Sequence, residues 1–435
     1  MVVARLARGA LECEDDVIRR DERALFIGGW NLLHGLNHRA RHVANHLETR
    51  FKSFDLVAFE SFYSGSGSQT APFWHKARQG IANLRSRRVR ITTRHSVREI
   101  VIRDIYTPSL LRLLIKDVWR YLILRQVLQP PYDIAIVGDS ENALLAWLLK
   151  QSGQVKRLIY DDWDYFPGLE HNWLDAQLMK IRERICIRQA DAMITVGHLL
   201  AELRTRQGAK QIIVIPNGVD LPLFARARSK VPHPPTLIYL GALSSWYSVD
   251  LAIRAMLALT QSVPHLRLLI AGTGPAEAEL KALSQSLNMH EKVSFLGPLE
   301  YQALPTVLAE ADIGIATSSP QSEFRKYASP LKVIEYMGAG LPVIATRVGE
   351  MELIMRQANA GILINDSVEE FAAAVLDLLT DRAKYEQCAR SAISYAAQFD
   401  WCILMDQACQ FLVRILSGDS DPVPTLRCAQ LSGDS

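Results

Sequence analysis

The strongest constraint on the fold is an alternation, repeated along most of the chain, of short runs rich in Val, Ile and Leu with stretches of helical periodicity. Such runs are typical of strands in parallel sheets that carry helices on both faces. They form two series, separated by the proline-rich segment Val231–Thr236. We therefore predict an α/β protein with two Rossmann-like, doubly wound parallel-sheet domains that face each other across a cleft.

The 435 residues are enough for two domains with full hydrophobic cores. The predicted strands of the first series are ALFIGG, DLVAFES, DIAIVGD, RLIYDDW, AMITVG and IIVIP. Those of the second series are TLIYLGA, LRLLIAGTG, VSFLGPL, DIGIATS, LPVIATRVG and AGILIND. The predicted boundaries are residues 1–230 for the N-terminal domain, 231–398 for the C-terminal domain, 399–416 for a helix packing back toward the N-terminal domain, and 417–435 for a disordered tail.

The spacing of the cysteines and the hydropathy of the chain predict the cellular compartment of the protein. The six cysteines show no CxxC spacing, which argues against a zinc site or a disulfide framework and indicates a reducing, cytoplasmic location. No apolar run reaches about 18 residues, so no transmembrane helix is predicted. The N-terminal segment lacks the apolar core of a signal peptide.

The charge is unevenly distributed. Residues 1–230 carry 35 Lys and Arg against 24 Asp and Glu, whereas residues 231–435 carry 14 against 22. Cations dominate residues 85–125, where they alternate with Leu, Ile, Trp and Tyr at helical spacing. A basic amphipathic helix of this kind suits an anionic membrane surface, and an ordinary packed helix with a solvated face is the alternative. No nucleic-acid-binding motif is present, so no nucleic-acid partner is predicted.

A cation and a carboxylate stand three residues apart in the apolar segment SPLKVIEYMGAGLPVIAT. Ser329 predicts an N-cap, with Pro330 in the first helical turn. Lys332 would then lie beside free backbone N–H groups and the positive end of the helix, which is an anion site. Glu335, one turn further, can accept two hydroxyl groups, as from a ribose. The alternative is a solvent-exposed Lys–Glu pair at i, i+3.

With these residues in view, the second series resembles the donor domain of GT-B glycosyltransferases, most of all glycosyltransferase family 4. The similar blocks occur in family order and include YLGALSSWYSVDLAIRA, LIAGTGP, VSFLGPL, LPTVLAEADIGIATS and SPLKVIEYMGAGLPVIAT. RQADAMITVGHLL and VIPNGVDLPLF resemble the end of the family's N-terminal, acceptor-binding domain.

The resemblance implies a nucleotide-diphosphate-sugar donor and assigns roles to particular residues. Glu335 matches the second glutamate of the family's EX7E motif, which holds the ribose, and Lys332 matches a lysine that faces the diphosphate. The other residues that it places at the donor are Gly28 and Gly29 in a glycine loop, Gly272 and Gly274 on the cleft floor, Gly297 and Leu299 beside the base, and Ser329, Pro330 and Leu331 at the helix start.

The sequence departs from the family pattern at three positions. The first motif glutamate falls at Tyr327, and the family's usual arginine and lysine fall at Ala242 and Tyr247. Arg325, Lys326 or Arg347 could replace the missing arginine and lysine.

The segment LIYDDWDYFPG places three aspartates after a first-domain strand. Asp164 matches an aspartate beside the acceptor in the family, and a carboxylate there could act as general base. Solvated loop acids or helix N-caps are the alternative. The DxD pattern also occurs in metal-binding transferases of another fold. The two-domain pattern argues against that fold, so neither a metal nor another cofactor is predicted.

We interpret Asp139 as the N-cap of the helix that follows it, and His34, His38 and His42 as part of a basic helix face.

The predicted function is that of a metal-independent glycosyltransferase, peripheral on the inner face of the cell membrane. It would move a sugar from a nucleotide-diphosphate-sugar donor to a lipid-linked or glycan acceptor, in cell-surface polysaccharide or glycolipid synthesis. The alternatives are a GT-B nucleotide-sugar epimerase, which needs no acceptor, and a non-catalytic nucleotide-sugar-binding relative.

Overall fold

The computed structural model describes residues 20–28, 38–60, 89–94, 97–104, 109–138, 140–168, 173–229 and 232–418. Its strands are β1 (Arg20–Gly28), β2 (Phe51–Glu60), β3 (Val89–Arg94), β4 (Val97–Arg103), β5 (Tyr132–Gly138), β6 (Val155–Asp162), β7 (Ala192–Thr195), β8 (Ile212–Val214), β9 (Thr236–Leu240), β10 (Arg267–Ala271), β11 (Val293–Gly297), β12 (Ile313–Ala316), β13 (Val343–Thr346) and β14 (Gly361–Ile364).

The α-helices of the described ranges alternate with these strands. They are α1 (His38–Arg50), α2 (Ser109–Val127), α3 (Ala143–Gln151), α4 (Trp173–Gln189), α5 (His198–Arg206), α6 (Leu221–Phe224), α7 (Val249–Ser262), α8 (Glu277–Ser286), α9 (Leu304–Leu308), α10 (Glu323–Tyr327), α11 (Leu331–Gly338), α12 (Gly349–Ala358), α13 (Val368–Thr380), α14 (Arg382–Ala396) and α15 (Trp401–Ser417).

The first domain is built on a sheet in the order β3-β4-β2-β1-β5-β6-β7-β8. All neighbours are parallel except β3, which runs antiparallel to β4 at the edge. Helices cover both faces of the sheet. Since successive residues of a strand point to opposite sides, each strand contributes side chains to a core on either face. In β5, Ile134 and Ile136 pack into one buried cluster, whereas Ala135 and Val137 pack into another.

The second domain contains a six-stranded parallel sheet in the order β11-β10-β9-β12-β13-β14. Strand β9 is again apolar on both faces, with Leu237 and Tyr239 in one core and Ile238 and Leu240 in the other. The chain winds away from β9 in one direction through β10 and in the other through β12, so the strand order reverses between β9 and β12. A crevice opens at such a point, beyond the carboxyl ends of the strands. The predicted fold class is confirmed, with β3 as an antiparallel exception.

The chain crosses between the domains twice, and the two crossings lie side by side. The backbone N–H of Val219 donates to the carbonyl of Phe399 at 2.9 Å, and that of Trp401 donates to the carbonyl of Val219 at 3.3 Å. Helix α15 then packs on the first domain, where Leu404 and Phe411 lie in the same buried cluster as Phe26. Residues 419–435, which include most of the predicted disordered tail, lie outside the described part of the chain.

Helix α2 carries part of the predicted basic amphipathic segment. Ile115, Val118 and Leu122 form an exposed apolar stripe on it, with 45%, 42% and 50% of their surfaces exposed. Two of its cations are engaged within the domain, because Lys116 and Arg120 both pair with Asp104. Residues 85–88 lie outside the described ranges. None of the described helices combines the length and apolar character needed to span a bilayer.

Glu350, in the first turn of α12, fastens the second domain to the first. Its carboxylate oxygens accept hydrogen bonds from the backbone N–H groups of His198 (2.8 Å) and Leu199 (3.0 Å) at the start of α5. A helix start needs such acceptors, and its positive end favours a carboxylate. Gly197 leaves the space that this contact requires, since a Cβ there would lie 2.7 Å from the carboxyl carbon of Glu350.

We expect Glu350→Ala to lower the free energy of unfolding by about 1–3 kcal/mol, because two partly buried N–H groups lose their acceptors. Urea denaturation followed by circular dichroism measures this change. Glu352→Ala is the matched control, because Glu352 lies on the same helix in an exposed pair with Arg356, which contributes less than about 1 kcal/mol. Equal losses for both variants would contradict a fastening role for Glu350.

Candidate functional site

The crevice of the second sheet faces the carboxyl end of β6 in the first domain. Three contacts join the two sides. A Cβ on Gly168 would lie 2.9 Å from the backbone nitrogen of Phe324. The rings of Tyr165 and Tyr327 lie 5.1 Å apart. The backbone N–H of Asn217 donates to Ser329 Oγ at 3.4 Å. The segment Tyr165–Gly168 and helices α10 and α11 therefore form the walls of one cleft.

Helix α11 enters this cleft with its N-terminus. Its start differs from the prediction, because Pro330 occupies the N-cap position, no side chain caps the helix and Leu331 is the first helical residue. Ser329 is not the N-cap, since its hydroxyl is used in the contact with Asn217. Within the described part of the chain, the backbone N–H of Lys332 has no hydrogen-bond partner. A ligand in the crevice can therefore use this donor.

The Lys332 side chain lies between two aromatic rings. Nζ is 4.0 Å from the ring centre of Tyr239 and 4.2 Å from that of Tyr247. This nitrogen is buried, and no described residue forms a hydrogen bond with it. Burial lowers the pKa of Lys332 well below its ordinary value, and the Arg325 guanidinium lowers it further. Gly241 leaves room for the amino group, because a Cβ there would lie 3.1 Å from Nζ.

Glu335 lies one turn further along α11 and is half-buried. Burial raises the pKa of Glu335 to about 7, and Lys332 acts in the opposite direction. The two side chains make no ion pair within 4.0 Å, since Nζ lies against the tyrosine rings instead. The exposed i, i+3 pair considered from the sequence is therefore wrong. Glu335 stays available to a ligand in the cleft.

The glycines of the crevice bring two loops into contact. Gly272 has φ +145°, and a Cβ on it would lie 1.8 Å from the Gly241 carbonyl oxygen. A Cβ on Gly274 would lie 2.2 Å from the carbonyl oxygen of Leu243. Both glycines are thus required by backbone packing beside Lys332, whether or not a ligand touches them.

The remaining glycine positions lie at strand ends. Gly297 ends β11 with φ +70° and open space beside it, and Leu299 follows it, packed partly against the core of the second domain. Gly28 is buried at the carboxyl end of β1, opposite Ala58 of β2. Gly29, His34 and Asp139 lie outside the described residues, as does the side chain of His38. The ring of His42 stacks on Trp401 at 4.5 Å.

Two of the three clustered aspartates are structural. Asp161 is buried and pairs with Arg39 at 2.8 Å. Asp162 is buried and pairs at 2.6 Å with Arg204. These pairs correct the view of them as solvated loop acids.

Asp164 differs, because it is half-buried and its carboxylate has no hydrogen-bond partner in the described ranges. Burial raises the pKa of Asp164 to about 7, against the opposing effect of Arg325 from the other domain. It has the properties of a proton acceptor at neutral pH.

The three cations considered as replacements for Ala242 and Tyr247 take different positions. Arg325 is buried, and its guanidinium lies over Tyr247 at 4.8 Å. Lys326 is exposed above the ring of Tyr327, and Arg347 is exposed and donates to the carbonyl of Leu363. Only Arg325 among these three adds positive charge inside the cleft.

Sequence reasoning missed two parts of the site, namely the ring of Tyr239 and the space left by Gly241, and it also missed the inter-domain contact of Glu350. A glycine directly after the first strand of the second domain was the available signal for Gly241. The arrangement can bind an anion beside the start of α11, with hydroxyl groups held by Glu335. In the described part of the chain, no group of three His, Cys, Asp or Glu side chains is placed to hold a metal ion.

Known proteins resemble this chain in sequence and in fold. The family model of glycosyl transferases group 1 matches residues 234–381. The D-inositol 3-phosphate glycosyltransferase of Corynebacterium aurimucosum is 27% identical over 297 residues, which are 60% of this chain and 68% of that protein. These matches support a GT-B glycosyltransferase of the family 4 type. The family and enzyme class expected from the sequence are thereby confirmed.

Solved structures show the same fold for this glycosyltransferase. Sucrose-phosphate synthase from Thermosynechococcus elongatus superposes with a TM-score of 0.67 at 20% identity, covering 92% of this chain and all of that one. HepE from Anabaena, in complex with UDP-glucose, superposes with a TM-score of 0.66 at 19% identity, covering 90% of this chain and 99% of that one. The curated relatives are matched over about half to two thirds of their length.

Proposed function

We propose that the protein transfers a sugar from a nucleotide-diphosphate-sugar donor to a lipid-linked or glycan acceptor, without a metal ion. One observation carries this proposal. The Lys332 amino group is buried at the start of α11 and has no hydrogen-bond partner among the residues that the structure describes. Holding a buried amino group unpaired is unfavourable, and a diphosphate would offset that cost by pairing with its protonated form.

The other residues of the cleft fit the rest of a donor. The start of α11 adds its partial positive charge to Lys332, which together would stabilise the departing diphosphate. Glu335, one turn on, would accept the ribose hydroxyls, and the open backbone at Gly297 and Leu299 would receive the base. The complexes of HepE with UDP and with UDP-glucose support a donor of this class.

The transfer step then uses groups from both domains. The acceptor oxygen forms a bond to the anomeric carbon of the sugar, and the bond from that carbon to the terminal phosphate oxygen breaks. The acceptor proton moves to the carboxylate of Asp164, and the negative charge remains on the diphosphate beside Lys332. A residue with a pKa of about 7 is suited to this proton transfer at neutral pH.

A panel of nucleotides tests the donor site. We expect UDP, GDP or ADP to raise Tm, because a ligand that binds only the folded protein stabilises it. Incubation with the matching nucleotide sugar in EDTA should release the diphosphate only when an acceptor is added. The acceptor panel should include polyprenyl-phosphate sugars, oligosaccharides and, because of the relatives' names, inositol phosphate. Isomerised donor formed without any acceptor would show an epimerase, and no nucleotide binding would show a non-catalytic protein.

The exposed stripe on α2 supports a lipid-linked acceptor, and we place the protein on an anionic membrane surface at the cytoplasmic face. Ile115, Val118 and Leu122 would enter the interface. The triple variant I115S/V118S/L122S should lose most of its sedimentation with phosphatidylglycerol vesicles, whereas I403S/V413S, which changes exposed apolar residues on α15, should not. Equal sedimentation of both variants with these vesicles would contradict the assignment of this surface.

A further inference from the structure

Arg325 is a buried arginine that the transfer mechanism above leaves without a role. It lies in the short helix α10, between β12 and α11, with 7% of its surface exposed. Its Nε donates to Ser318 Oγ at 3.2 Å. In the described part of the chain it makes no ion pair, and its two terminal nitrogens have no hydrogen-bond partner. Its charge is therefore free to bind an anion.

Arg325 and Lys332 share one aromatic ring. The guanidinium carbon lies 4.8 Å from the ring centre of Tyr247, and Lys332 Nζ lies 4.2 Å from it. Neither side chain pairs with a carboxylate within the described residues. Two neighbouring basic groups repel each other when both are protonated, and an anion between them removes this cost. A diphosphate carries its charge on two phosphorus centres, so each basic group can bind one of them.

The packing of α10 shows which side of the site Arg325 occupies. Phe324 and Tyr327, on either side of it in the helix, contact Gly168 and Tyr165 of the first domain. Arg325 accordingly interacts electrostatically with Asp164 as well as with Lys332. Across the cleft, the charged groups thus follow the order Asp164, Arg325, Lys332 and Glu335.

We infer that Arg325 binds the terminal phosphate, the one bonded to the sugar, while Lys332 and the start of α11 bind the inner phosphate. This inference rests on the proposed function, because it assigns the two phosphates of the proposed donor. A guanidinium presents a planar set of donors that suits phosphate oxygens, so Arg325 would both orient the leaving group and stabilise its charge. Its place beside Asp164 would align the terminal phosphate with the incoming acceptor.

Isothermal titration with UDP and UMP tests this assignment, with GDP and GMP or ADP and AMP used if the protein prefers another base. We expect Arg325→Gln to weaken UDP binding by about 10–100-fold and to leave UMP binding nearly unchanged, because UMP lacks the terminal phosphate. Lys332→Met should weaken both ligands. Arg347→Gln, which removes an exposed arginine of the same domain, should change neither.

A pH profile provides a readout that loss of folding would not produce. Asp164 is faced by Arg325 from the second domain and by Arg39 and Asp162 from the first. Because Arg325 lowers the pKa of Asp164, Arg325→Gln should move the acidic limb of kcat/KM to higher pH. Arg325→Lys keeps a positive charge and should restore most of the wild-type profile.

The outcomes separate this inference from the function on which it rests. Wild-type protein that binds no nucleotide would overturn both. Normal wild-type binding together with unchanged UDP affinity in Arg325→Gln, or with equal losses for UDP and UMP, would overturn the assignment of Arg325 alone. The assignment would be supported if Arg325→Gln lost affinity for UDP but not for UMP. In addition, the acidic limb of kcat/KM should shift to higher pH in Arg325→Gln and return toward the wild-type position in Arg325→Lys.

Discussion

Lys332→Met is expected to lower kcat by about 10²–10³-fold and, at the same time, to raise Tm at neutral pH. The loss of rate follows because the leaving diphosphate loses the charge that stabilises it in the transition state. The gain in stability follows because methionine fills the space between Tyr239 and Tyr247 without a polar group to desolvate. Donor turnover and differential scanning calorimetry measure the two effects. A residue that only supported the fold would lower both quantities together.

The gain in Tm should itself depend on pH. The pKa of Lys332 is lowered in the folded protein, so between that pKa and about 10.5 the unfolded chain holds the proton more tightly. Wild-type stability therefore rises with pH in this window, and the advantage of the methionine variant should shrink from pH 7 to pH 9. Lys281→Met is the control, because Lys281 is exposed and paired with Glu277 on α8. An advantage that stays constant with pH would contradict the assigned burial of Lys332.

Asp164→Asn is expected to lower kcat by about 10²–10⁴-fold with little change in nucleotide affinity, because the amide cannot accept the acceptor's proton. In the wild type the carboxyl group must be ionised, so kcat/KM should rise with pH and level off above about 7. For Asp164→Asn, kcat/KM should be low and should not change with pH over this range. Its pH–rate profile, measured with a saturating acceptor, decides the point.

Glu335 titrates near the same pH and must be separated from Asp164. Glu335→Gln should weaken nucleotide binding and keep the acidic limb of kcat/KM, since its proposed contact is with the ribose and not with the transferred proton. If the acidic limb of kcat/KM disappeared in Glu335→Gln and persisted in Asp164→Asn, the titrating base would be Glu335. Asp164 would then have no part in the proton transfer.

The sequence predicted the two sheets well because nearly every strand is apolar on both faces, as Ile134 and Ala135 show from opposite sides of β5. Such strands appear as continuous hydrophobic runs. The antiparallel edge strand β3, which reads VRITTR, is largely polar, with Arg90, Ile91 and Thr93 exposed, and gave no comparable signal. Lys332 and Glu335 were found because a charged pair interrupts an otherwise apolar helix.

The unpredicted parts of the site depend on partners that are distant in sequence. Asp161 and Asp162 could be recognised as structural only through Arg39 and Arg204, which lie 122 and 42 positions away. Ser329 is followed by proline, as an N-cap often is, but its hydroxyl instead contacts Asn217 of the other domain. No local pattern records a contact of this kind, since local preferences give way to tertiary structure.

The side-by-side crossings at Val219 and Phe399 have a consequence for how the enzyme can open. A swing of the two domains about the paired crossings would keep the hydrogen bonds between them, whereas sliding of one domain past the other would break those bonds. Such a swing would first have to release the other contacts between the domains, among them those of Glu350 with the start of α5 and that of Tyr165 with Tyr327. Because Asp164 and Arg325 lie on opposite sides of the cleft and interact electrostatically in this structure, opening would separate the proposed proton acceptor from the proposed phosphate ligand.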